Sequence, residues 1–550
     1  MSKNLSELSG RKGLRKNLFE ELGNAALANG TPSESDMEHL REEFLVGKSS
    51  VYGTVSFYDF LKPENQGKKV YVCNGSACMT AGTQPTLLNK LKKHFTENEI
   101  GEMCCLGRCH ENSAFHVNGH NYSGADIEDI TAINNQTKFT SEKYNTGYMG
   151  TPVIMAPFSS VKDYYSIFEN ALTTNPVALL EELKLSGLRG RGGAGFSMAF
   201  KLESCKNVKG FTKFIVCNAD EGDPGAYSDR YIMEERPHAL LMGMMLSGFI
   251  TGASYGVVYI RGEYPESIAI IAAAIEILRD EGLIGKNIRN SGFDFEFKII
   301  KAQGAYICGE ETALLSSIEG QRPEVRTRPP YPTQMGLFNK PTVVNNVETL
   351  ANLPFIIKNG GKAFAAIGTT KSTGTKLISL DGYFNRPGIY EVDMGTPLRK
   401  VIDELGGGFR SPVKAMHIGG PLGGLVPISK IDNLTVDFDS FAKEGFLLGH
   451  ASIVCIPTDF PLIAYLEHLF RFTAHESCGK CFPCRIGSVR GYEMIDRART
   501  TDYRLDRMLV DDLLETMEAG SLCALGGGLP LPIKNALNYF DEELKPYFKK

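Results

Sequence analysis

Residues 213 to 230 read "KFIVCNADEGDPGAYSDR". The first half is a continuous apolar run, the pattern of a strand buried on both faces. The second half gathers Asn218, Asp220, Glu221 and Asp223 at the strand's C-terminal end, where open α/β sheets bind their ligands. Further strand-like runs, "YGVVYIRG" and "DFEFKIIK", alternate with helical segments such as "ESIAIIAAAIEILRDEG". That alternation predicts a doubly wound, Rossmann-like sheet over residues 161–365.

Immediately upstream, "GLRGRGGAGFSMAFK" (187–201) places Gly190, Gly192 and Gly193 beside Arg189 and Arg191, ahead of a helical run. Missing Cβ atoms let backbone amides approach a phosphate, and the helix N-terminus adds partial positive charge. A glycine-rich loop alone is a weak signal, and this one departs from the standard dinucleotide fingerprint. The carboxylates nearby read as metal ligands, a solvated loop or partners for ribose hydroxyls; the glycine loop beside them favours the ribose and isoalloxazine reading, and they would repel a 2′-phosphate, so NAD is expected over NADP. Downstream, "GAYICGEETALLSSIEG" adds Tyr306, Gly309, Glu310 and Glu311, with glutamates in a helix's first turn as the plainer reading. "RPPYPTQMGLFNKPTVVNNVETL" adds Tyr331 as a stacking surface and Asn345 and Asn346 as polar ligands.

The chain, 550 residues with 42% hydrophobic and 22% charged side chains, is too long for one core and has the composition of an ordinary globular protein. A net charge of −5 gives no hint of nucleic-acid binding. The opening "MSKNLSELSGRKGLRKNLFEELG" lacks a secretory pattern, so a cytoplasmic location is expected. The uncharged stretch 239–260 carries four glycines and reads as buried helix, turn and strand, with no direct membrane span. Residues 1–45 read as a helical arm, 46–135 as a small α/β domain, and 136–160 as a polar linker. Residues 366–435 read as a β-grasp-like domain and 436–550 as mostly helical. The fold class is therefore multidomain α/β.

Thirteen cysteines in a reducing compartment suggest metal binding rather than disulfides. "ESCGKCFPCRIG" spaces Cys478, Cys481 and Cys484 three apart, and Cys523 in "SLCALGGG" is the natural fourth ligand. Three thiolates from one tight loop and a remote fourth suit a 4Fe-4S cubane. Structural zinc sites present two separated Cys-x2-Cys pairs, which this region lacks. Gly526 to Gly528 read either as a close approach to the cluster or as a flexible turn. A second set pairs Cys73 and Cys78 of "CNGSAC" with Cys105 and Cys109 of "CCLGRC". Those spacings fit a 2Fe-2S cluster and zinc about equally well, and Cys104 competes with Cys105.

Taken together, "GLRGRGGAGF", "NADEGDPG", "GAYICGEETAL", "PTVVNNVETL" and "ESCGKCFPCRIG" with the later "SLC" resemble the NADH-oxidising flavoprotein subunit of respiratory complex I. Its soluble relatives are the diaphorase subunits of NAD-dependent hydrogenases and formate dehydrogenases. "VYGTVSFYDF", "VCNGSAC" and "CLGRC" are similar to the thioredoxin-like 2Fe-2S subunit of the same complexes, here fused at the N-terminus. The resemblance implies FMN held by Gly190, Arg191, Gly192, Gly193, Lys201, Asn218, Asp220, Tyr306, Gly309, Asn345 and Asn346. It implies Phe196, Asp223, Glu310, Glu311 and Tyr331 around NAD(H), and it selects Cys105 and Cys109 over Cys104. Where the family often has Pro-Thr-Gly and a Lys-Trp pair, this chain has "SMAFKLE" around Lys201.

The implied activity is that of an NADH:acceptor oxidoreductase: hydride exchange between NAD(H) and FMN, then single electrons through iron-sulfur clusters. The partners would be other redox subunits of a hydrogenase, formate dehydrogenase or related complex, including a small 2Fe-2S or ferredoxin-type subunit. An electron-bifurcating flavoprotein that couples NAD to ferredoxin is an alternative. A non-redox, zinc-stabilised nucleotide-binding scaffold is another, and it predicts colourless protein with zinc and no iron.

Overall fold

The computed structural model describes residues 13–137, 144–210 and 212–550, and three sheets organise them. The central one is wholly parallel, in the spatial order Glu296–Lys301, Tyr255–Ile260, Phe214–Ala219, Thr342–Asn346. Numbered along the chain, that is the order 3-2-1-4 of a doubly wound sheet, and the order reverses between Phe214–Ala219 and Thr342–Asn346. The ends of these two strands therefore open on one crevice. The apolar helix Pro237–Thr251 is buried from Ala239 on nearly all sides and stops at Gly252, whose φ of 75° is the left-handed conformation glycine adopts most readily. It leads into Tyr255–Ile260, as helix, turn and strand. Among the described residues no helix is long and apolar enough to cross a membrane.

The N-terminal sheet runs Ile100–Met103, Val70–Cys73, Phe115–Val117, His120–Tyr122, the first pair parallel and the others antiparallel. Ahead of it, helix Leu18–Ala26 packs Leu18, Phe19 and Leu22 into one core with Val216 and Tyr259 of the central sheet, joined by Leu40 of helix Glu34–Phe44 and by Val51 and Val55 of helix Lys48–Val55.

The third sheet has six strands, and two of them fall outside the segment 366–435 that reads as β-grasp. Asn145–Met149, inside the polar stretch 136–160 that reads as a linker, pairs in parallel with Gly388–Asp393 at the sheet's edge. Its side chains are largely solvent-facing, so it carries no apolar signal. Residues 138–143 of that stretch lie outside the described residues. Ser452–Pro457, within the helical reading of 436–550, lies in mid-sheet between Val413–Ile418 and Thr375–Leu380. Beyond it the chain is helical, with Leu462–Glu476, Phe482–Thr500 and Arg507–Gly520 packed together.

Candidate functional site

The glycine loop closes on itself before its helix begins. Gly190 N donates to Phe196 O at 2.8 Å, Arg189 Nε to Gly195 O at 2.8 Å, and Ser197 caps Met198–Asn207 by accepting from Phe200 N. Arg191 is fully buried: its amide donates to Thr349 Oγ1 at 2.8 Å and its guanidinium to Thr373 O at 2.5 Å, while burial lowers it to about 10. A Cβ on Gly192 would sit 2.9 Å from Asn346 Cβ, so the loop presses directly on the end of the neighbouring strand. Asn346 in turn accepts from Thr349 N and donates to Asp229 at 2.5 Å.

On the facing strand, Asn218 Nδ2 donates to Gly309 O at 2.8 Å and Asn218 Oδ1 accepts from Asp220 N. Tyr306 Oη donates to Asp223 at 2.8 Å, and Lys201 Nζ reaches Glu311 at 2.8 Å and Val344 O at 3.1 Å. Burial raises the Asp220 and Asp223 carboxyls. Asp220 Oδ2 and Asn345 Nδ2, both buried at adjacent strand ends, have no hydrogen-bond partner among the described residues. One unfilled acceptor beside one unfilled donor suits a flavin ring edge, which offers both N–H and C=O. The residues present therefore fit FMN. Glu310 does what its plainer reading expects: Oε2 accepts from Thr312 N and Ala313 N and caps Glu311–Ile318, while Arg328 pairs with both glutamates.

Phe196 and Tyr331 stand exposed, and so does Phe200, whose ring lies 5.6 Å from that of Phe196. Ser204 to Thr333, 2.9 Å between hydroxyls, ties the helix of Phe200 to the segment of Tyr331. Sequence reasoning missed Phe200; its signal was a large apolar residue in a first helical turn with no apolar partner three or four positions on. It also missed Arg328, Thr349 and His450, which are conspicuous only through contacts distant in sequence.

The cysteines gather into two cages. Cys73, Cys78, Cys105 and Cys109 are all buried, with Cys105 Sγ 3.4 Å from Cys109 Sγ and Cys73 interacting with both Cys105 and Cys78. Cys109 lowers the Cys105 thiol by hydrogen bonding, but Cys73 and burial outweigh it and push Cys105 to about 12. So many converging thiols ionise together only around a multiply charged metal centre, which fits an iron-sulfur cluster. Cys104 is half-buried; its sulfur lies 3.6 Å from where a Gly75 Cβ would stand. Three parts of the chain hold this loop: Gly225 N donates to Cys109 Sγ at 3.2 Å, Arg261 to Cys105 O at 2.8 Å, and Gly382 N to Cys109 O at 2.9 Å.

Cys478, Cys481, Cys484 and Cys523 share a second cage. Burial pushes Cys484 up to about 11 and Cys523 to about 12. Gly526 lies in the helix Ala524–Gly528 rather than a flexible turn, and its Cβ would fall 3.0 Å from Cys484 Sγ. The flavin crevice and this cage are joined directly: Glu476 Oε2 accepts from Tyr306 N at 2.8 Å, and the Tyr306 and Phe472 rings are 5.0 Å apart.

Three segments of the chain match known families. Residues 183–355 match the Nuo51 FMN-binding domain, 464–547 the NADH-ubiquinone oxidoreductase-F iron-sulfur binding region, and 7–138 the thioredoxin-like [2Fe-2S] ferredoxin. The NADP-reducing hydrogenase subunit HndC of Solidesulfovibrio fructosivorans is 42% identical over 398 residues, which is 70% of this chain and 80% of that protein. The NADH-quinone oxidoreductase F-type chain of Aquifex aeolicus (strain VF5) is 38% identical over 387 residues, 70% of this chain and 89% of that protein. A chain of the NAD+-reducing [NiFe]-hydrogenase, in its air-oxidized crystal structure, superposes with a TM-score of 0.84 at 27% identity, covering 97% of this chain and 93% of its own.

Proposed function

Because this chain belongs to the family of NADH-quinone oxidoreductase F-type chains and their hydrogenase relatives, we propose that it exchanges electrons between NAD(H) and a hydrogenase-type partner module. The family membership makes it an NAD-dependent flavin iron-sulfur oxidoreductase with FMN, a 4Fe-4S and a 2Fe-2S cluster. FMN, when bound, supplies the conversion between a two-electron hydride and single electrons.

The chain's own residues bind, orient and shield. The amides of Gly190 to Gly193 and the N-terminus of Met198–Asn207 hold the phosphate. Asn218, Asp220, Tyr306, Gly309, Asn345 and Asn346 seat the ring, and Lys201, held by Glu311, lies beside it. Phe196 and Tyr331, with Phe200, clasp the dinucleotide, and Glu310, Glu311 and Asp223 set its charge environment. No side chain needs to move a proton in the hydride step, so positioning is the protein's main contribution. Cys478, Cys481, Cys484 and Cys523 hold the 4Fe-4S cluster, and Cys73, Cys78, Cys105 and Cys109 the 2Fe-2S cluster.

The observation that carries the reading is the Glu476–Tyr306 bond, which joins the crevice to the cage of Cys478, Cys481, Cys484 and Cys523 over one hydrogen bond. Exposed Phe482, Ile486 and Leu522 rim that cage and leave it approachable by a redox partner. Anaerobic purification, an absorption spectrum before and after NADH, and iron and zinc analysis test it. Flavin absorption with about six irons per chain, bleached by NADH, is expected. Zinc without iron or flavin, and no response to NADH, would sink it.

A further inference from the structure

Where the central and six-stranded sheets meet, three titratable side chains are buried together: Glu221, Asp229 and His450, with ligating atoms all within 4.8 Å of one another. His450 comes from the six-stranded side, just before Ser452–Pro457. Its Nε2 lies 3.3 Å from Glu221 Oε1 and 3.7 Å from Asp229 Oδ2. Both carboxylates are tied to the flavin crevice. Glu221 follows Asp220 at the strand end and accepts from the amides of Asp229 and Arg230; Asp229 accepts from Asn346. Two buried carboxylates this close repel each other unless a cation or a proton lies between them.

We propose that His450 is a positioning residue that, as an imidazolium between Glu221 and Asp229, holds the flavin cradle's charge in balance and thereby sets the flavin's reduction potential. The inference rests on the FMN reading above. Burial alone would lower the imidazole, but Asp229 and Glu221 outweigh it and raise His450 to about 9. Burial and Asp229 raise Glu221 to about 7, so this carboxyl is the group that takes up a proton when the imidazolium is lost. The other charged and titratable groups facing the triad are Lys376 with its partner Glu348, Arg230, Arg261, Tyr264, Asp223 and the buried thiol of Cys217 beside Asp229. None of them lies between the two carboxylates as His450 does.

Without the imidazolium, one more negative charge lies beside a cofactor whose reduced form is itself anionic, and reduction becomes harder. The test is spectroelectrochemistry of FMN-loaded protein at about pH 8 and about pH 6, a pair that brackets the Glu221 carboxyl. His450→Gln is expected to lower the reduced-to-oxidised flavin ratio at fixed potential about tenfold at the lower pH, where Glu221 is already protonated in the wild type and cannot offset the lost charge, or about 30 mV for a two-electron couple. At the higher pH Glu221, no longer held down by the imidazolium, takes up a proton and shrinks the effect to less than about threefold, and there the charge-balanced double variant His450→Gln with Glu221→Gln recovers the wild-type ratio. Should His450→Gln fail to fold, Asp229→Asn removes a negative charge with His450 in place and must shift the ratio the opposite way.

A ratio within about twofold of wild type at both pH values overturns the proposal. So does loss of flavin with no rescue by the double variant, which marks a merely structural strap. Stoichiometric manganese or zinc in the wild type that Glu221→Gln removes would make the triad a metal site instead. Wild-type protein that takes up no FMN refutes the parent reading, not this inference.

Discussion

Substituting Gly192 with alanine tests how the phosphate loop is seated. The new Cβ would stand 2.9 Å from Asn346 Cβ, 3.2 Å from Cγ and 3.4 Å from Nδ2. Asn346 cannot swing away cheaply, because its oxygen caps a helix through Thr349 N and its nitrogen is held by Asp229. The loop must therefore retreat, carrying Arg191 N away from Thr349 Oγ1, 2.8 Å off in the native protein. Overpacking of this kind costs about 1–3 kcal/mol. If half of the upper value, about 1.5 kcal/mol, falls on the FMN-bound state, where the loop has least freedom to relax, affinity for FMN drops about tenfold, since about 1.4 kcal/mol is a decade.

The assay is quenching of FMN fluorescence on titration with flavin-depleted protein, beside a thermal melt of the same samples. Asn346→Gly supplies the control, because it removes both atoms nearest the new methyl and costs an N-cap only a few tenths of a kcal/mol. In that background the further change Gly192→Ala should weaken FMN less than about twofold. Gly193→Ala behaves differently: nothing lies within 4 Å of its Cβ, but its φ of 127° is strained for any L side chain, so Asn346→Gly cannot rescue it. An FMN affinity for Gly192→Ala within about twofold of wild type, or a penalty undiminished beside Asn346→Gly, would refute the close packing of loop on strand.

Cys481→Ser should lower iron by about four per chain while FMN is retained, and Cys104→Ser should leave iron unchanged; iron loss in the second variant would show that Cys104 is a ligand. Asp223→Arg, which also breaks the Tyr306 bond, should slow NADH turnover and raise NADPH use relative to NADH; an unchanged ratio of the two kcat/KM values removes Asp223 from the specificity argument. His417 is buried against Tyr465 and Gly423 O, and burial lowers it to about 4. The folded chain thus resists a proton that the unfolded chain accepts below about pH 6.5, so stability present at neutral pH is lost on acidification, about 2 kcal/mol by about pH 5. Urea melts at the two pH values should show that loss, and His417→Gln should reduce it.

The elements legible in the sequence are those whose chemistry is local. Phe214–Ala219 is buried on both faces of a parallel sheet and so reads as an unbroken apolar run. Gly190 to Gly193 and the spacing of Cys478, Cys481 and Cys484 state their need for backbone approach and for convergent thiolates within a dozen residues. Asn145–Met149 is invisible for the opposite reason: an edge strand with solvent-facing side chains carries polar residues like any linker, and only its ladder with Gly388–Asp393 makes it a strand. Ser452–Pro457 looks like a strand in isolation, but its place in mid-sheet depends on partners about forty and about seventy residues earlier.

The same division runs through the site. Residues that touch a cofactor recur in short motifs because one ligand imposes one spacing, whereas residues that set the cofactor's surroundings answer to the whole tertiary arrangement. His450 stands more than two hundred residues from Glu221, and its own segment, "GFLLGHASIVCIP", offers no other charged side chain. Nothing local distinguishes it from a histidine on an apolar strand end. Its charge becomes necessary only when two sheets bring it against a pair of carboxylates that burial would otherwise force to protonate. Binding can therefore be inferred along the chain, while the tuning of what is bound has to be read across the domain interface.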